Sequence, residues 1–213
     1  MFIEQPPWFY RVLFPGVTWR VPSLKKKCVY LTFDDGPIPE VTPWVLDILE
    51  QYGVKATFFM VGDNVRKHPD VYRMVIERGH CVGNHTFNHI QGIRYLTKNY
   101  VANVEKAADY IPGRLFRPPH GHMRVPQLLR LRKKYKIVMW DVVTRDYNNK
   151  ISGEKVLSIV KKYTRNGSII VFHDSLKAEK NMRYALPKAI EWLKSEGYRF
   201  EQLTEENIKN YSK

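Results

Sequence analysis

The chain has 213 residues and a mass of 25.2 kDa, with 35 Lys and Arg residues against 21 Asp and Glu residues, a net charge of +14 and a pI near 9.7. A chain of this length buries roughly 70% of the surface that its unfolded form exposes, so it needs no disulfide or structural metal to fold. The positive charge favours anionic partners. We expect no specific nucleic-acid partner, because no nucleic-acid motif and no basic tract beyond residues 25–27 is present.

The cysteines and the apolar runs bear on cellular location. Cys28 and Cys81 both lie in segments typical of buried strands, so buried reduced thiols are expected, with a disulfide between neighbouring strands as the alternative. No apolar run is long enough to span a bilayer, and residues 1–7 lack the basic start and apolar core of a signal peptide. These features favour a cytoplasmic protein or one at the periphery of a membrane.

Residues 1–26 are predicted to form an N-terminal arm. Between residues 7 and 22, aromatic side chains alternate with arginines and prolines. Such a segment could lie at a membrane interface, where Trp and Tyr are favoured and Arg can contact phosphates. We prefer an arm that packs on the domain and closes its open end, because the prolines would interrupt an amphipathic helix.

Residues 27–213 are predicted to form one domain in which apolar, strand-like runs alternate with helical patterns, as in a largely parallel α/β fold. Helices are predicted to end at glycines and to begin at capping residues, among them Thr42, Thr97 and Ser152. The predicted strands are 28–33, 56–61, 80–84, 115–117, 137–140, 168–172 and 198–200. The predicted helices are 42–52, 69–78, 97–109, 125–134, 152–163 and 181–195. This pattern amounts to about seven β/α units.

The first strand delivers two adjacent carboxylates, Asp34 and Asp35, into a Gly-Pro turn. His85 and His89, four residues apart, are predicted to lie on one face of a helical turn; with one carboxylate they make a three-ligand set that leaves a metal position open. The other Asp would stay free as a base. Each signal is weak alone, since acidic residues before Gly-Pro are ordinary turn formers. A third apolar run, which ends in His173, strengthens the hypothesis.

Five motifs then occur in one order along the chain, at residues 32–37, 85–89, 117–121, 140–147 and 171–174. Together they resemble the polysaccharide deacetylases of the NodB type, carbohydrate esterase family 4. The resemblance spans most of the chain after about residue 30. It implies a distorted seven-stranded (β/α) barrel with its site at the carboxyl ends of the strands.

The resemblance implies hydrolysis of an N-acetyl amide on a sugar. A metal held by Asp35, His85 and His89 would activate water and polarise the acetyl carbonyl. Zinc is the expected ion, and cobalt, nickel and manganese are alternatives.

The resemblance also implies roles in proton transfer and charge stabilisation. Asp34 would be the general base and His173 the general acid. Arg117 would orient Asp34, while Asp146 could pair with His173 or with Arg117. The backbone N–H of His120 would stabilise the oxyanion.

Position 120 departs from the family pattern, because an aromatic residue with a hydroxyl or a bare ring is usual there. Replacement by His120 keeps the backbone N–H. Together with His122, its imidazole could add a metal ligand or a second proton donor.

The expected acetyl pocket also departs from the family pattern. The resemblance places Pro118, Pro119, Tyr147 and Val171 around it. The fourth motif has Val143 in place of its first Asp and Tyr147 in place of Trp, and Val171 stands where Leu is common. These changes affect acyl selectivity and substrate class rather than acid–base chemistry.

The expected function is therefore metal-dependent N-deacetylation of an amino-sugar polymer, oligomer or lipid-linked glycan. An anionic envelope polymer or a membrane surface would suit the positive charge. Two alternatives are a hydrolase of another amide or of an acetyl ester, and an inactive relative that binds glycan or an envelope surface. Each assigned residue also has a purely structural interpretation, as an ion-pair partner, a strand-end histidine or a turn cap. The sequence does not indicate an oligomeric state.

Overall fold

The computed structural model describes residues 4–211 and consists of a parallel sheet flanked by helices. The strands are β1 (Cys28–Asp34), β2 (Thr57–Met60), β3 (Cys81–Asn84), β4 (Leu115–Phe116), β5 (Lys136–Ile137), β6 (Val142–Val143), β7 (Ser168–His173) and β8 (Arg199–Phe200). Seven strands follow the order β5-β4-β3-β2-β1-β7-β6, and β8 pairs with β1. All of these pairs are parallel, as the alternation of strand and helix patterns predicts.

Three helices of the structure are absent from the sequence prediction. The helices are α1 (Trp8–Leu13), α2 (Thr42–Gln51), α3 (Gly62–Lys67), α4 (Pro69–Glu77), α5 (Thr97–Ala108), α6 (Val125–Leu131), α7 (Gly153–Tyr163), α8 (Glu179–Ser195) and α9 (Glu205–Tyr211). The unpredicted ones are α1, α3 and α9, each of six or seven residues. In α1 the prolines precede the helix instead of interrupting it, since Pro7 is the cap residue.

The core is centred on β1, whose seven residues are all buried. It lies between β2 and β7, with Phe33 in register with Phe58 on one side and Phe172 on the other. The ring centroids of Phe33 and Phe58 are 4.9 Å apart, and those of Phe33 and Phe172 are 6.1 Å apart. Burial on both faces explains why this strand is a continuous apolar run rather than an alternating one.

The predicted strand at 137–140 is wrong, because the chain changes partners there. The N–H of Val138 still bonds Phe116 beside β4, at 2.8 Å, whereas the N–H of Asp141 bonds Ile169 of β7, at 3.0 Å. The chain thus crosses from one side of the sheet to the other between these residues. It forms two short strands, β5 and β6, instead of one.

Residues 17–21 of the arm lie across this crossing. The N–H of Thr18 donates to Ile137 at 2.9 Å, and Thr18 accepts a hydrogen bond from the N–H of Met139 at 2.8 Å. The N–H of Val21 donates to Gly167, just before β7, at 2.9 Å. The arm therefore contacts both sides of the place where β5 and β6 separate.

Both cysteines are free. Cys28 is buried on β1 and Cys81 is half-buried on β3. Because β2 lies between these strands, the two residues are not on neighbouring strands. Among residues 4–211, none of the helices combines the length and apolar character needed to cross a bilayer.

The parallel arrangement brings the carboxyl ends of the strands to one edge of the sheet. The strand ends at this edge are Asp34 of β1, Asn84 of β3, Phe116 of β4, Val143 of β6 and His173 of β7. The segments that follow these strands carry the sequence motifs, so the fold gathers them at one place.

Candidate active site

Arg117 holds the first of the two carboxylates, Asp34, in position. Its side chain is fully buried, and Nη1 donates to Asp34 Oδ1 at 2.6 Å and to Thr32 Oγ1 at 2.8 Å. Nη2 donates to the carbonyl of Met139 at 3.0 Å, and the guanidinium lies 4.0 Å from the centre of the Phe59 ring. A buried cation with this set of partners fixes the orientation of Asp34.

The second carboxylate lies with the two histidines. The distance from Asp35 Oδ1 to Nε2 is 3.1 Å for His89 and 3.8 Å for His85. The three potential ligand atoms all lie within 4.8 Å of one another. His85 Nδ1 is 2.8 Å from the carbonyl oxygen of Arg117. That contact requires a proton on Nδ1 and leaves the Nε2 lone pair directed at Asp35, which is the arrangement of a metal-binding histidine.

The protonation states of this group suit a cation. Burial alone would raise the pKa of Asp35, but the hydrogen bond from His89 and the charges of His173, His89 and His85 hold it well below its ordinary value. Burial lowers the pKa of His85 to about 4. A carboxylate and a neutral imidazole are the forms that bind metal, so the residues fit a divalent ion.

The two histidines do not lie on a helical turn, contrary to the prediction. The segment after β3 is irregular, with left-handed backbone at Thr86 (φ 66°) and His89 (φ 52°). The carboxamide oxygen of Asn103 on α5 accepts the N–H groups of Phe87 and Asn88, at 2.9 and 3.1 Å. The histidines converge because this loop bends around Asn103, and a spacing of four residues is compatible with either geometry.

Left-handed backbone marks the site as a whole. Five non-glycine residues in the described part of the chain have positive φ, and all lie in the segments that follow the strands: Asp35, Thr86, His89, His120 and Arg145. Such conformations cost about 1–3 kcal/mol each and persist where the surroundings impose them. Their concentration here indicates that the fold forces these loops into shape around the site.

His173 and Asp146 form a hydrogen-bonded pair next to the ligand group. His173 Nδ1 is 2.8 Å from Asp146 Oδ1, and its backbone N–H donates to Asp146 Oδ2 at 2.8 Å. Asp146 is fully buried, and Asn181 donates to its carbonyl at 3.0 Å. Burial alone would lower the pKa of His173, but the charge and hydrogen bond of Asp146 raise it to about 9. Of the two partners considered for Asp146, the structure places His173 beside it.

His120 presents its backbone to the site. It has left-handed backbone (φ 59°), and its N–H donates no hydrogen bond to another described residue. Its exposed ring lies edge-on to that of His89, with centroids 4.9 Å apart. His122 is turned towards Gln91, whose Nε2 is 2.5 Å from His122 Nδ1. Within residues 4–211, the potential metal group contains neither His120 nor His122.

Asp174 and Thr42, to which the sequence analysis gave no role in the site, support the turn after β1. Asp174 is buried and accepts the N–H of Gly36 at 3.1 Å and the hydroxyl of Thr42 at 2.6 Å. A Cβ on Gly36 would lie 2.0 Å from Asp174 Oδ2, so only glycine fits. Thr42 was expected to cap α2; its hydroxyl instead bonds this carboxylate and accepts the N–H of Ile38.

These groups open into one cavity of about 660 Å³, a size typical of small-ligand sites. It is lined by the catalytic and metal candidates Asp34, Asp35, His85, His89, His120 and His173, and by the predicted pocket residues Tyr147 and Val171. The predicted wall residues Pro118 and Pro119 are buried and do not line it. They lead into the left-handed turn at His120.

Sequence reasoning missed several residues of this cavity. They include Pro6, Pro7, Tyr10, Trp19, Gln91 and Lys177. No local signal marks Gln91 or Lys177, because their position depends on how the loops fold. The aromatic and proline content of the arm was a usable signal, but it did not indicate which side chains would reach the site.

Comparisons with known proteins identify the family to which this chain belongs. A family model described as polysaccharide deacetylase matches residues 22–140. A peptidoglycan-N-acetylglucosamine deacetylase of Bacillus cereus is 35% identical over 203 residues, covering 89% of this chain and 92% of the relative. A chitooligosaccharide deacetylase of Azorhizobium caulinodans is 36% identical over 155 residues, covering 68% of this chain and 73% of the relative.

A solved structure supports the same conclusion. The crystal structure of a peptidoglycan N-acetylglucosamine deacetylase superposes with a TM-score of 0.82 at 32% identity, covering 92% of this chain and 94% of that one. The likeness confirms the distorted seven-stranded (β/α) barrel. Because the family model matches more than half of the sequence and these relatives align over most of it, the chain belongs to the polysaccharide deacetylase family, carbohydrate esterase family 4, whose deacetylases are metal-dependent.

Proposed function

We propose that this deacetylase removes acetyl groups from N-acetylglucosamine units of a peptidoglycan or chitin-like glycan, with a divalent cation held by Asp35, His85 and His89. The observation that carries the proposal is that this three-ligand group shares one cavity with Asp34 and with His173. A base, an acid and a cation site around one space are the groups that amide hydrolysis needs.

Zinc is the proposed ion. Two imidazoles and one carboxylate are a frequent ligand set of catalytic zinc, and they leave one position open. When bound, the cation would supply Lewis acidity to water and to the acetyl carbonyl. The hydrogen bond between His85 Nδ1 and the carbonyl of Arg117 keeps the ligand nitrogen oriented before any ion arrives.

Asp34 is the proposed general base. Its Oδ1 is bonded by Arg117 at 2.6 Å, whereas Oδ2 lies 4.0 Å from His85 Nε2, on the side of the ligand group. One oxygen is therefore used for orientation, and the other is available to take a proton from the attacking water. Arg117 acts as a positioning residue through Asp34.

His173 is the proposed general acid. Its Nδ1 is bonded to Asp146, so Nε2 is the nitrogen that can deliver a proton to the departing sugar amine. The raised pKa of His173 keeps the imidazole protonated at neutral pH. Asp146 holds the ring in place and is the positioning residue of this pair.

The backbone N–H of His120 is the proposed oxyanion donor, because it has no other acceptor among the described residues. Tyr147 and Val171 are proposed walls of the acetyl pocket. The Tyr147 ring lies edge-on to that of His173, with centroids 4.8 Å apart. The net charge of +14 supports an anionic polymer as the natural substrate or its surroundings.

The test is acetate release from N-acetylglucosamine oligomers by metal-depleted protein with zinc, cobalt or no addition. We expect activity only with metal, and its loss in Asp34→Asn and His173→Ala. Asp47→Asn, at an exposed acid on α2, is the matched control and should keep full activity. An O-acetylated sugar in parallel separates amide from ester hydrolysis. Metal-independent activity, or full activity of Asp34→Asn, would contradict the assignment.

A further inference from the structure

The N-terminal segment forms part of the substrate cavity. Pro6, Pro7 and Tyr10 line the same space as Asp35 and His173. These three residues precede the stretch that the family model matches, which begins at residue 22. A segment outside the part of the chain that the family model matches therefore forms part of the cavity wall.

Contacts at both ends hold this segment in place. The carbonyl of Glu4 accepts the N–H of Val143 at 2.9 Å, and its carboxylate accepts Arg145 Nη1 at 2.5 Å. At the other end, Arg11 Nη2 donates to the buried carboxylate of Asp141 at 2.5 Å. Val143 and Arg145 lie directly before Asp146, the partner of the proposed acid His173. The contacts of Glu4 therefore attach the N-terminal segment to the catalytic side of the cavity.

The hydroxyl of Tyr10 is available for a hydrogen bond to a ligand. The Tyr10 ring packs against Phe14 and Trp19, with centroids 5.2 and 5.9 Å away, which restricts its orientation. Its hydroxyl makes no hydrogen bond with any residue between 4 and 211. The pyrrolidine rings of Pro6 and Pro7 line the same cavity. An apolar surface next to one fixed hydroxyl matches a sugar ring, which presents C–H groups on its face and hydroxyls at its edge.

We propose that Pro6, Pro7 and Tyr10 form a specificity-determining wall of the glycan site, in which Tyr10 hydrogen-bonds a sugar hydroxyl and the two prolines contact a sugar face. The inference rests on the proposed function for its substrate class. The wall touches the sugar and not the reacting amide. Its contacts are therefore equally strong in the ground state and the transition state, and they act on KM rather than on kcat.

The test uses binding as well as turnover. Zinc-loaded His173→Gln would serve as the non-hydrolysing parent, and its affinity for an N-acetylglucosamine tetramer would be measured by calorimetry. Adding Tyr10→Phe, which removes only the hydroxyl, should weaken binding by about threefold to tenfold, the range for one neutral hydrogen bond. In the active enzyme the same substitution should raise KM by that factor with kcat within about twofold.

Trp8→Ala is the matched control. Trp8 follows Pro7 directly, is 77% exposed and does not line the cavity, so it should leave affinity and KM unchanged. Equal affinity of the parent and Tyr10→Phe would overturn the proposed wall. So would an equal loss of affinity in Trp8→Ala, or failure of the parent to bind the tetramer. If the wild type releases no acetate but Tyr10→Phe still weakens binding to the parent, the proposed reaction fails and the wall stands.

Discussion

At the scale of single residues, the site depends on buried charges that have their partners in place. Arg117 is fully buried, yet Asp34, Thr32 and the carbonyl of Met139 accept its hydrogen bonds. A buried charge is costly unless it is paired and hydrogen-bonded in this way. The arrangement therefore couples the orientation of the proposed base to the stability of the fold.

We predict that Arg117→Met lowers the free energy of unfolding by about 3–5 kcal/mol, because it leaves Asp34 as a buried carboxylate without its cation. Urea unfolding of the metal-free protein measures this. Arg114→Met, at an exposed arginine three residues earlier, should cost about 0–1 kcal/mol. Equal costs for the two substitutions would show that the buried pair does not stabilise the fold.

A second prediction concerns the pH dependence of His173. Its pKa is raised to about 9, so the acidic form is present at neutral pH and is lost as the pH rises through that value. Asp146→Asn removes the charge that raises the pKa. The basic limb of kcat/KM should then move down by about one pH unit or more.

The pH profile of kcat/KM for wild type and Asp146→Asn measures this shift, with Asp70→Asn, at an exposed residue, as the control. If the basic limb of kcat/KM stays at the same pH in Asp146→Asn, that limb reports the titration of a group other than His173.

The ion pair between His173 and Asp146 also affects the stability of the fold. Because the folded pKa lies above the ordinary value of 6.5, this contribution is fully present below about pH 6.5 and is lost as the pH rises through about 9.

At the scale of elements, Asp141 joins three parts of the chain. Its fully buried carboxylate accepts Arg165 Nε and Nη2 at 2.9 and 2.7 Å, and the hydroxyl of Ser168 at 2.7 Å. It also accepts Arg11 from α1. Burial alone would raise its pKa, but the hydrogen bonds from Arg165, Ser168 and Arg11 hold it below the ordinary value. This contribution to stability is present at neutral pH and is lost as the pH falls below about 4.

We predict that Asp141→Ala and Arg11→Ala differ in cost. The first leaves Arg165, Arg11 and the buried Ser168 without their acceptor and should lower the free energy of unfolding by about 2–3 kcal/mol, since both arginines keep part of their solvation. The second keeps Asp141 paired with Arg165 and should cost about 1 kcal/mol. Urea unfolding at pH 7 compares them. A larger loss in Arg11→Ala would mean that the arm, rather than the carboxylate, holds this region together.

At the scale of the whole molecule, the metal site links loops from distant parts of the chain. Asp35 follows β1, whereas His85 and His89 follow β3, so an ion bound by all three is bound only by the folded state. Any ligand with that preference stabilises the fold by mass action. The melting temperature is therefore a measure of site occupancy that does not depend on catalysis.

We predict that zinc at about 100 times its Kd stabilises the fold by about 2.7 kcal/mol. For a chain of this size that corresponds to a rise in Tm of roughly 5–10 °C. Thermal unfolding with and without zinc measures the rise, and chelator should reverse it. His89→Ala should abolish most of the shift, and His68→Ala, outside the site, should keep it. An equal shift in both variants would place the ion elsewhere.

The sequence by itself determined the parallel α/β class and predicted which motifs gather at the carboxyl ends of the strands. Strands such as β1 and β7 are continuous apolar runs, and such runs depend only on neighbouring residues. Parallel strands have their carboxyl ends at one edge, so residues that follow them, such as Asp35 and His173, had to meet. Motif order added the family and the deacetylase activity, which the comparisons confirm.

Tertiary structure alone decided the details that shape the cavity. The histidines converge through a loop bent around Asn103, the chain divides into β5 and β6 because it changes partners, and Tyr10 reaches the site from the arm. Each of these depends on contacts between residues far apart in the chain. Local periodicity and spacing cannot encode such contacts, because their energy exists only once the distant segments have come together.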